Sequence, residues 1–223
     1  MSLSLGVWIG DNDFINNKQL NEMQKLLSEF PESYFNSIYI GNEVLFRKDK
    51  SIDELLSYIN DTKLFLKKIN KSNIPIGTSE IGSLINHKLI DNCDVIGANI
   101  HPFFGGEDVS KSINWTYDFL KYQIEPQLKK VRQKPKIIIT EVGWPFKGGS
   151  FQKSVANFKS FQYFLNNFIC EAYQKDYGWY YFEAFDEPWK KIFYEDSNSW
   201  ETEWGVFNYD RSMKEKIQFP ACN

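Results

Sequence analysis

Six short apolar runs, rich in β-branched and aromatic residues, recur along the chain and are separated by segments with helical periodicity. The runs are Leu3–Ile9, Ser37–Val44, Ile74–Ser79, Asp94–Ile100, Lys136–Thr140 and Gly178–Phe182. Several are almost continuously hydrophobic, which is typical of strands that are buried on both faces of a parallel sheet. Most intervals between them have room for one strand, one crossover helix and two loops. The pattern predicts an α/β chain of repeating βα units, either a doubly wound sheet or a (β/α)₈ barrel.

Helix boundary signals lie between these runs. Pro31 follows an apolar helical pattern and predicts its end, and the Ser-x-x-Glu sequence at 51–54 predicts a capping box. A helical pattern over about 110–131 must end or kink at Pro126. Ser150 is predicted to cap a further long helix, whose apolar stripe belongs to the core.

Composition narrows the classes of function. With 26 Lys and Arg against 29 Asp and Glu, the net charge is −3, which argues against a polybasic nucleic-acid or membrane-surface binder. The sequence has no run of about 18 apolar residues, so no transmembrane helix is expected. No Gly/Ser-rich linker or low-complexity tract splits the chain, and we expect one domain over 1–223. The aromatic share is 17%, and flat rings either fill cores or present faces on which sugar rings can rest.

The cysteines and the N-terminus bear on the compartment. The three cysteines lack C-x-x-C spacing, which excludes a structural zinc site of the usual kind, and an odd number cannot all pair within one chain. The first ten residues carry no basic n-region and no apolar h-region with a cleavage site, so no signal peptide is recognised. Two interpretations stay open: a cytosolic protein, or a chain whose natural start lies upstream.

Two glutamates stand at the carboxyl ends of predicted strands, where βα proteins place their active groups. Glu43 lies in the sequence Gly-Asn-Glu-Val at 41–44, and Glu141 lies in Thr-Glu-Val-Gly-Trp-Pro at 140–145. Two carboxylates facing one pocket suit glycosidic bond cleavage, because one can protonate the leaving oxygen while the other attacks the anomeric carbon or activates water. An ion pair or a loop cap is the common alternative for a single carboxylate at such a position.

Longer stretches around the strand ends resemble glycoside hydrolase family 17, the β-1,3-glucan-active enzymes, and look closest to its fungal cell-wall branch. They are Ile40–Arg47, Asp94–Phe104, Ile139–Pro145, Tyr181–Lys190 and the closing stretch Glu203–Asn208. The resemblance runs from about residue 3 to about residue 210, and the ordered set of motifs is specific. It implies a TIM-type barrel that hydrolyses or transglycosylates β-1,3-glucan polysaccharide or oligosaccharide, with no cofactor and no metal.

The resemblance also implies a retaining mechanism. Glu43 matches the family's general acid/base and Glu141 its nucleophile, so their carboxyl groups are expected about 5–5.5 Å apart. Asn42 matches the position that hydrogen-bonds the sugar 2-OH, with a strand-end turn cap as the alternative. His101 is expected to orient Glu141 or to hydrogen-bond it. A metal role for His101 is disfavoured, because the only other histidine is His87.

A second group of candidate substrate contacts follows the last two strands. Trp144 and Trp189 are expected as sugar-stacking walls, with core packing as the equal alternative. Glu183, Glu187 and Lys190 match the family's polar cluster after the last strand. They are expected to support the catalytic glutamates or to bind substrate hydroxyls, and surface ion pairing is the plain alternative.

Only six of the eight units of a TIM barrel are found in the sequence. Aligned by motif, the six strands correspond to barrel strands 3–8, so we expect an N-terminally truncated chain that forms an open six-stranded segment. The alternative function is a catalytically impaired relative that acts as a glucan-binding or structural cell-wall protein. A nucleotide-binding doubly wound domain fits poorly, because no glycine-rich phosphate-binding motif follows a strand. The family implies an extracellular or cell-wall location.

Overall fold

The computed structural model describes residues 2–175, 177–193, 199–214 and 216–222. It contains all six predicted strands, with ends that differ from the predicted ones by at most two residues, and a further short hairpin. The bounds are β1 Leu3–Val7, β2 Phe35–Asn42, β3 Ile76–Ile81, β4 Val95–Asn99, β5 Lys136–Val142, β6 Gly149–Phe151, β7 Ser154–Ala156 and β8 Gly178–Tyr181.

The strand order distinguishes the two architectures that the sequence left open. The main sheet runs β1-β2-β3-β4-β5-β8, in the order of the chain. Pairing is parallel between β1 and β2 and between β2 and β3. A doubly wound sheet reverses its order at a switch point, whereas a barrel adds each new strand on the same side. The sequential order therefore favours the barrel-type arrangement over the doubly wound sheet.

Helices occupy the intervals between the strands, as the periodicity predicted. Their bounds are α1 Asp13–Glu29, α2 Val44–Arg47, α3 Ile52–Lys68, α4 His87–Asn92, α5 Ser112–Phe119, α6 Glu125–Leu128 and α7 Phe158–Ala172. The predicted capping box is present at the start of α3, where Ser51 and Glu54 bond each other's backbone N–H. Among the described residues, none of the helices combines the length and the apolar character of a membrane span.

The helical pattern over 110–131 is interrupted where Pro126 required it. A π turn over Leu120–Ile124 separates α5 from α6, and Pro126 lies in the first turn of α6. Proline is tolerated there because the first N–H groups of a helix have no partner within the helix.

The prediction that Ser150 caps the last long helix is wrong. Ser150 lies in β6, which pairs with β7 in an antiparallel hairpin. Gly148 and Gly149 have φ of 116° and 112°, a conformation that cannot begin a helix and that favours glycine. The true N-cap of α7 is Asn157, whose side chain accepts a hydrogen bond from the Ser160 N–H at 2.8 Å.

The chain divides into two compact units. The first is Met1–Ala98 with Tyr122–Ile138, and the second is Asn99–Lys121 with Ile139–Asn223. The divisions fall inside β4 and β5 rather than at a linker. The assignment of 1–223 to a single domain stays a prediction.

Each unit has its own buried core. In the first unit, the β2 residues Ile38 and Ile40 and the α3 residue Ile59 are fully buried. The core of the second unit is rich in aromatic side chains. Its α7 residues Phe164 and Phe168 are fully buried and stacked, with 5.4 Å between their ring centroids. The high aromatic share of the sequence thus contributes to a core, which is one of its two expected uses.

The C-terminal segment of the second unit is bound covalently to α7. Cys170 on α7 forms a disulfide with Cys222, and the third cysteine, Cys93, is buried and free. About two turns before Cys170 on the same helix, the Gln162 side chain donates to the Gln218 carbonyl at 2.7 Å and accepts from the Gln218 N–H at 2.9 Å. Both backbone polar groups of Gln218, its N–H and its carbonyl, are therefore bonded to one side chain.

Replacing Cys170 and Cys222 together by serine is expected to lower the free energy of unfolding by about 4 kcal/mol, because the disulfide closes a long loop in the unfolded chain. The loop spans 52 residues. For a chain of this size the melting temperature should fall by roughly 10 °C. Thermal unfolding with and without a reductant measures this, and only the wild type should respond to the reductant. An equal melting temperature for both proteins would contradict the prediction.

Candidate functional site

The end of β2 is shaped by a glycine that no other residue can replace without strain. Gly41 has φ of 78°, and a Cβ at this position would lie 2.5 Å from the Val44 side chain. Asn42 ends the strand, and Glu43 follows in the left-handed conformation with φ of 55°. The Glu43 N–H donates to the Ser79 carbonyl at 2.9 Å. The strand-end position that the sequence predicted for Glu43 is thus fixed through its backbone.

Arg47, in the same turn, connects this segment to the residues that follow β1. Its guanidinium donates to the carbonyl oxygens of Asn42 and of Ile9, the latter at 2.9 Å. It also pairs with Asp49 at 2.7 Å and lies over the Trp8 ring at 4.0 Å. Since five N–H groups in a rigid fork can satisfy several acceptors at once, Arg47 holds the Asn42 backbone in one place.

Glu80 is a residue of this segment that the sequence reasoning missed. It follows the predicted run Ile74–Ser79 directly and is 1% exposed. Burial raises the pKa of its carboxyl, and the Glu43 charge acts in the same direction, although backbone N–H groups oppose the change. A carboxylate at the end of a buried strand was the available signal, the same one that singled out Glu43 and Glu141.

In the second unit, Glu141 is the penultimate residue of β5. It pairs with His101, the partner expected from the sequence. His101 Nε2 lies 3.0 Å from Glu141 Oε2, and the two side chains are 14% and 20% exposed. The strand register brings them together, because the Ile100 N–H donates to the Glu141 carbonyl at 2.8 Å. An ionised carboxylate only accepts, so in that form of Glu141 the His101 Nε2 atom donates this bond.

Aromatic rings surround His101 and restrict its orientation. Its ring lies edge-on to Trp204 at 5.1 Å, to Phe182 at 5.3 Å and to Phe104 at 6.1 Å. Among the described residues, the buried Nδ1 atom of His101 has no hydrogen-bond partner. Trp204, which is 1% exposed, was not singled out from the sequence although it lies in one of the similar stretches.

The polar residues that follow β8 are close to each other, as the sequence predicted. Glu187 and Lys190 form an ion pair with 30% and 18% of their side chains exposed. Burial disfavours the charged form of Lys190, but the carboxylates of Glu187 and Glu183 outweigh it and raise its pKa. The Lys190 ammonium also lies 5.1 Å from the Phe182 ring centroid. This pair is half-buried, unlike a plain surface ion pair.

Glu183 is the most perturbed carboxyl group in this cluster. Burial raises its pKa to about 8, and the Glu187 and Glu141 carboxylates add to this while Lys190 opposes it. Its Oε1 atom is buried without a hydrogen-bond partner among the described residues. A carboxyl group with this raised pKa favours the protonated form at neutral pH, and in that form it can donate a hydrogen bond.

Replacing Glu183 by glutamine is expected to flatten part of the pH dependence of stability. Because the folded-state pKa of Glu183 is raised above its ordinary value, the folded protein loses stability as pH rises from about 5 towards 8. Glutamine resembles the protonated acid, so the variant should match the wild type near pH 5 and melt a few degrees higher at pH 8 to 9. Melting curves at these pH values measure it. A gap that stays constant across the range would contradict the prediction.

The two tryptophans named from the sequence have different environments. Trp144 is fully buried, donates from Nε1 to the Val155 carbonyl at 2.9 Å and packs on Phe103. A ring without an exposed face cannot stack on a sugar, so core packing describes Trp144 and the expected stacking role is corrected. Trp189 is 57% exposed and keeps its candidate role.

A buried ion pair holds the loop after β8 to a later segment. Lys214 Nζ lies 2.6 Å from Asp186 Oδ1, and the side chains are 4% and 11% exposed. The same Asp186 oxygen accepts from the Gly205 N–H at 3.0 Å. Burial lowers the pKa of Lys214. Asp186 is adjacent to Glu187, so the Asp186–Lys214 pair stabilises the loop that carries Glu187.

The candidate residues thus fall into two groups. Asn42 and Glu43 lie in the first unit, whereas His101, Glu141, Glu183, Glu187, Trp189 and Lys190 lie in the second. The expected 5–5.5 Å between the Glu43 and Glu141 carboxyl groups stays a prediction. Among the described residues, no three histidine, cysteine, aspartate or glutamate side chains are grouped as metal ligands would be.

The chain is similar to a family of fungal glycoside hydrolases. The family model described as the BtgE/BtgC glycoside hydrolase domain matches residues 1–205. The glucan endo-1,3-beta-glucosidase btgC of Emericella nidulans is 34% identical over the whole of this chain, which covers 36% of that protein. The chain spans about a third of the length of the curated relatives it matches.

Solved structures give the same result at the level of the fold. The glycoside hydrolase family 17 beta-1,3-glucanosyltransferase of Rhizomucor miehei superposes with a TM-score of 0.83 at 26% identity, over 99% of this chain and 77% of that one. An active-site mutant of that enzyme in complex with laminaritriose gives a TM-score of 0.84 at 25% identity, with the same coverage.

Proposed function

Because the chain belongs to the BtgE/BtgC glycoside hydrolase family, we propose that it cleaves or transfers β-1,3-glucan by a retaining mechanism. Glu141 is the nucleophile and Glu43 the general acid/base. The observation that carries the proposal is the Glu141–His101 hydrogen bond at the end of β5, where a partly exposed carboxylate is held at 3.0 Å by a restrained ring. The names of the similar proteins, an endo-1,3-beta-glucosidase and a beta-1,3-glucanosyltransferase, support the substrate class.

The chemistry has two steps. A Glu141 oxygen attacks the anomeric carbon while Glu43 gives its proton to the departing glycosidic oxygen, which leaves a glycosyl ester on Glu141. Glu43, now ionised, takes a proton from water or from a sugar hydroxyl, whose oxygen displaces Glu141. Two inversions at one carbon leave its configuration unchanged.

The neighbours of Glu141 have supporting roles in this proposal. The His101 Nε2–H fixes one carboxylate oxygen of Glu141, and the attack is assigned to this carboxylate. The protonated Glu183 and the ammonium of Lys190 are donors for sugar hydroxyls, and the exposed Trp189 offers a ring face to a sugar. Asn42 is assigned to the sugar 2-OH.

Product analysis tests the proposal. Laminari-oligosaccharides of one length are incubated with the protein, with cello-oligosaccharides of the same length as the linkage control. Shorter β-1,3 products indicate hydrolysis, and products longer than the starting sugar require transfer. Binding to laminari-oligosaccharides without any turnover would support the alternative, a catalytically impaired glucan-binding protein, and would overturn the enzymatic proposal.

We also propose that the protein acts outside the cell, on cell-wall glucan. The Cys170–Cys222 disulfide supports this, since disulfides persist in oxidising compartments and are rare in the cytosol. Fractionation of cells that make the protein, followed by detection in the wall and medium, tests the location. Recovery in the cytosolic fraction alone, with reduced cysteines, would overturn it.

A further inference from the structure

The turn that carries Glu43 is in an unfavourable conformation that the surrounding structure must maintain. Glu43 has φ of 55° and ψ of 32°, and residues with a Cβ adopt this left-handed region at a cost. It is also the N-cap of α2, a single turn of four residues. So short a helix is not stable by itself and depends on contacts from elsewhere in the fold.

Those contacts come from a buried carboxylate on the neighbouring strand. Glu80 Oε2 accepts from the Leu45 N–H at 2.8 Å and from the Phe46 N–H at 3.4 Å. These are the second and third residues of α2, whose N–H groups an N-cap side chain ordinarily satisfies. The Glu43 side chain forms no such cap bond. Glu80 therefore caps the turn in place of Glu43, and the Glu43 carboxyl is not committed to its own helix.

The other oxygen of Glu80 fixes the carboxylate itself. Oε1 accepts from the Ile81 N–H at 2.8 Å, so the side chain spans from β3 to the turn after β2. Among the described residues, no lysine, arginine or histidine pairs with Glu80. Burying a carboxylate without a cation is costly even when it is hydrogen-bonded, and a neutral side chain would cap at a lower cost. A carboxylate at this place is thus better explained by positioning than by stability.

We propose that Glu80 is a positioning residue for Glu43, which holds the backbone of the general acid/base by capping the turn that begins with it. The inference rests on the role of Glu43 in the proposed function. Its consequence is specific, because Glu80 should matter only for steps that need Glu43. A displacement of about 1 Å in a catalytic group can cost on the order of 100-fold in rate.

The experiment compares two substrates in the Glu80→Gln variant. Glutamine keeps the size of the side chain but turns one acceptor into a donor that faces N–H groups. On laminari-oligosaccharides, whose leaving group needs the acid, kcat/KM should fall roughly 10- to 100-fold. On a dinitrophenyl laminaribioside, whose leaving group departs without a proton, kcat/KM should stay within about twofold. Glu54→Gln, which alters an exposed cap at the start of α3, is the matched control and should change neither value.

A loss of fold would lower both values together, and the ratio of the two does not depend on the folded fraction. Glu80→Gln in a Glu43→Ala background should be no slower than Glu43→Ala alone, because the positioned group is already absent. Equal losses on both substrates, or a further loss in that background, would overturn the inference. If Glu43→Gln itself left laminari-oligosaccharide turnover intact, the proposed function would fail instead, so the two failures are distinguishable.

Discussion

Replacing Glu141 by glutamine is expected to lower kcat/KM on laminari-oligosaccharides by roughly 10⁴- to 10⁶-fold, the range found when a covalent nucleophile is removed. Glutamine keeps the shape of the side chain and can still accept from His101 Nε2, so the fold should be unchanged. It cannot form a glycosyl ester at a useful rate, because an amide oxygen is a weak nucleophile. Glu171→Gln, on α7 in the same unit, is the control and should keep full activity.

The stereochemistry of rescue identifies the role of Glu141. In Glu141→Gly, azide can enter the space of the lost carboxylate and attack the anomeric carbon of an activated β-glucoside from that side. One displacement inverts the centre, so the product should be the α-glycosyl azide. Unchanged glucan turnover in Glu141→Gln, or a β-glycosyl azide from Glu141→Gly, would contradict the assignment.

Replacing Glu43 by alanine is expected to cost about 10²- to 10⁴-fold in kcat/KM on laminari-oligosaccharides, the usual contribution of a general acid. The same variant should form the glycosyl–enzyme from a dinitrophenyl laminaribioside almost as fast as the wild type, because that leaving group needs no proton. Azide should then attack the intermediate from the face that Glu43 serves and give the β-glycosyl azide.

Glu22→Gln, on the exposed side of α1, is the control for the Glu43 variant and should be neutral on both substrates. An equal loss on the two substrates would indicate that Glu43 has no role as an acid. An α-glycosyl azide would exchange the two assignments. Both variants are checked by circular dichroism before the kinetics, so a change in fold is not read as a change in chemistry.

The strands could be predicted because the physics behind them is repetitive, whereas the apolar pattern left their order in the sheet open between two architectures. A buried parallel strand needs a continuous apolar run, and a crossover helix needs apolar residues along one face. Six βα units could therefore be predicted from the sequence. The resemblance to glycoside hydrolase family 17 was confirmed by the family model and by the solved structures. The family resemblance implied that His101 would orient or hydrogen-bond Glu141, and the backbone bond between Ile100 and Glu141 explains why the two side chains meet.

What could not be predicted from the sequence depends on the partners that the fold brings to a side chain. Glu80 stands at the end of a buried strand, but its hydrogen bonds in the described part of the chain go to backbone N–H groups, which nearly every residue has, so its capping role could not be predicted from a motif. Trp144 and Trp189 look alike in sequence, and only their burial separates core packing from a candidate sugar contact. Three cysteines allow three pairings, and proximity in the fold selects Cys170 with Cys222.

The Asp186–Lys214 pair limits how far a recombinant version of this protein can be shortened at its C-terminus without loss of stability. The family match ends at residue 205, nine residues before the cation that neutralises Asp186. A protein cut at that homology boundary would retain the carboxylate in the loop after β8 without its ammonium, and breaking a buried pair on one side costs about 3–5 kcal/mol. The shortest chain worth expressing therefore extends past the boundary that sequence similarity alone would suggest.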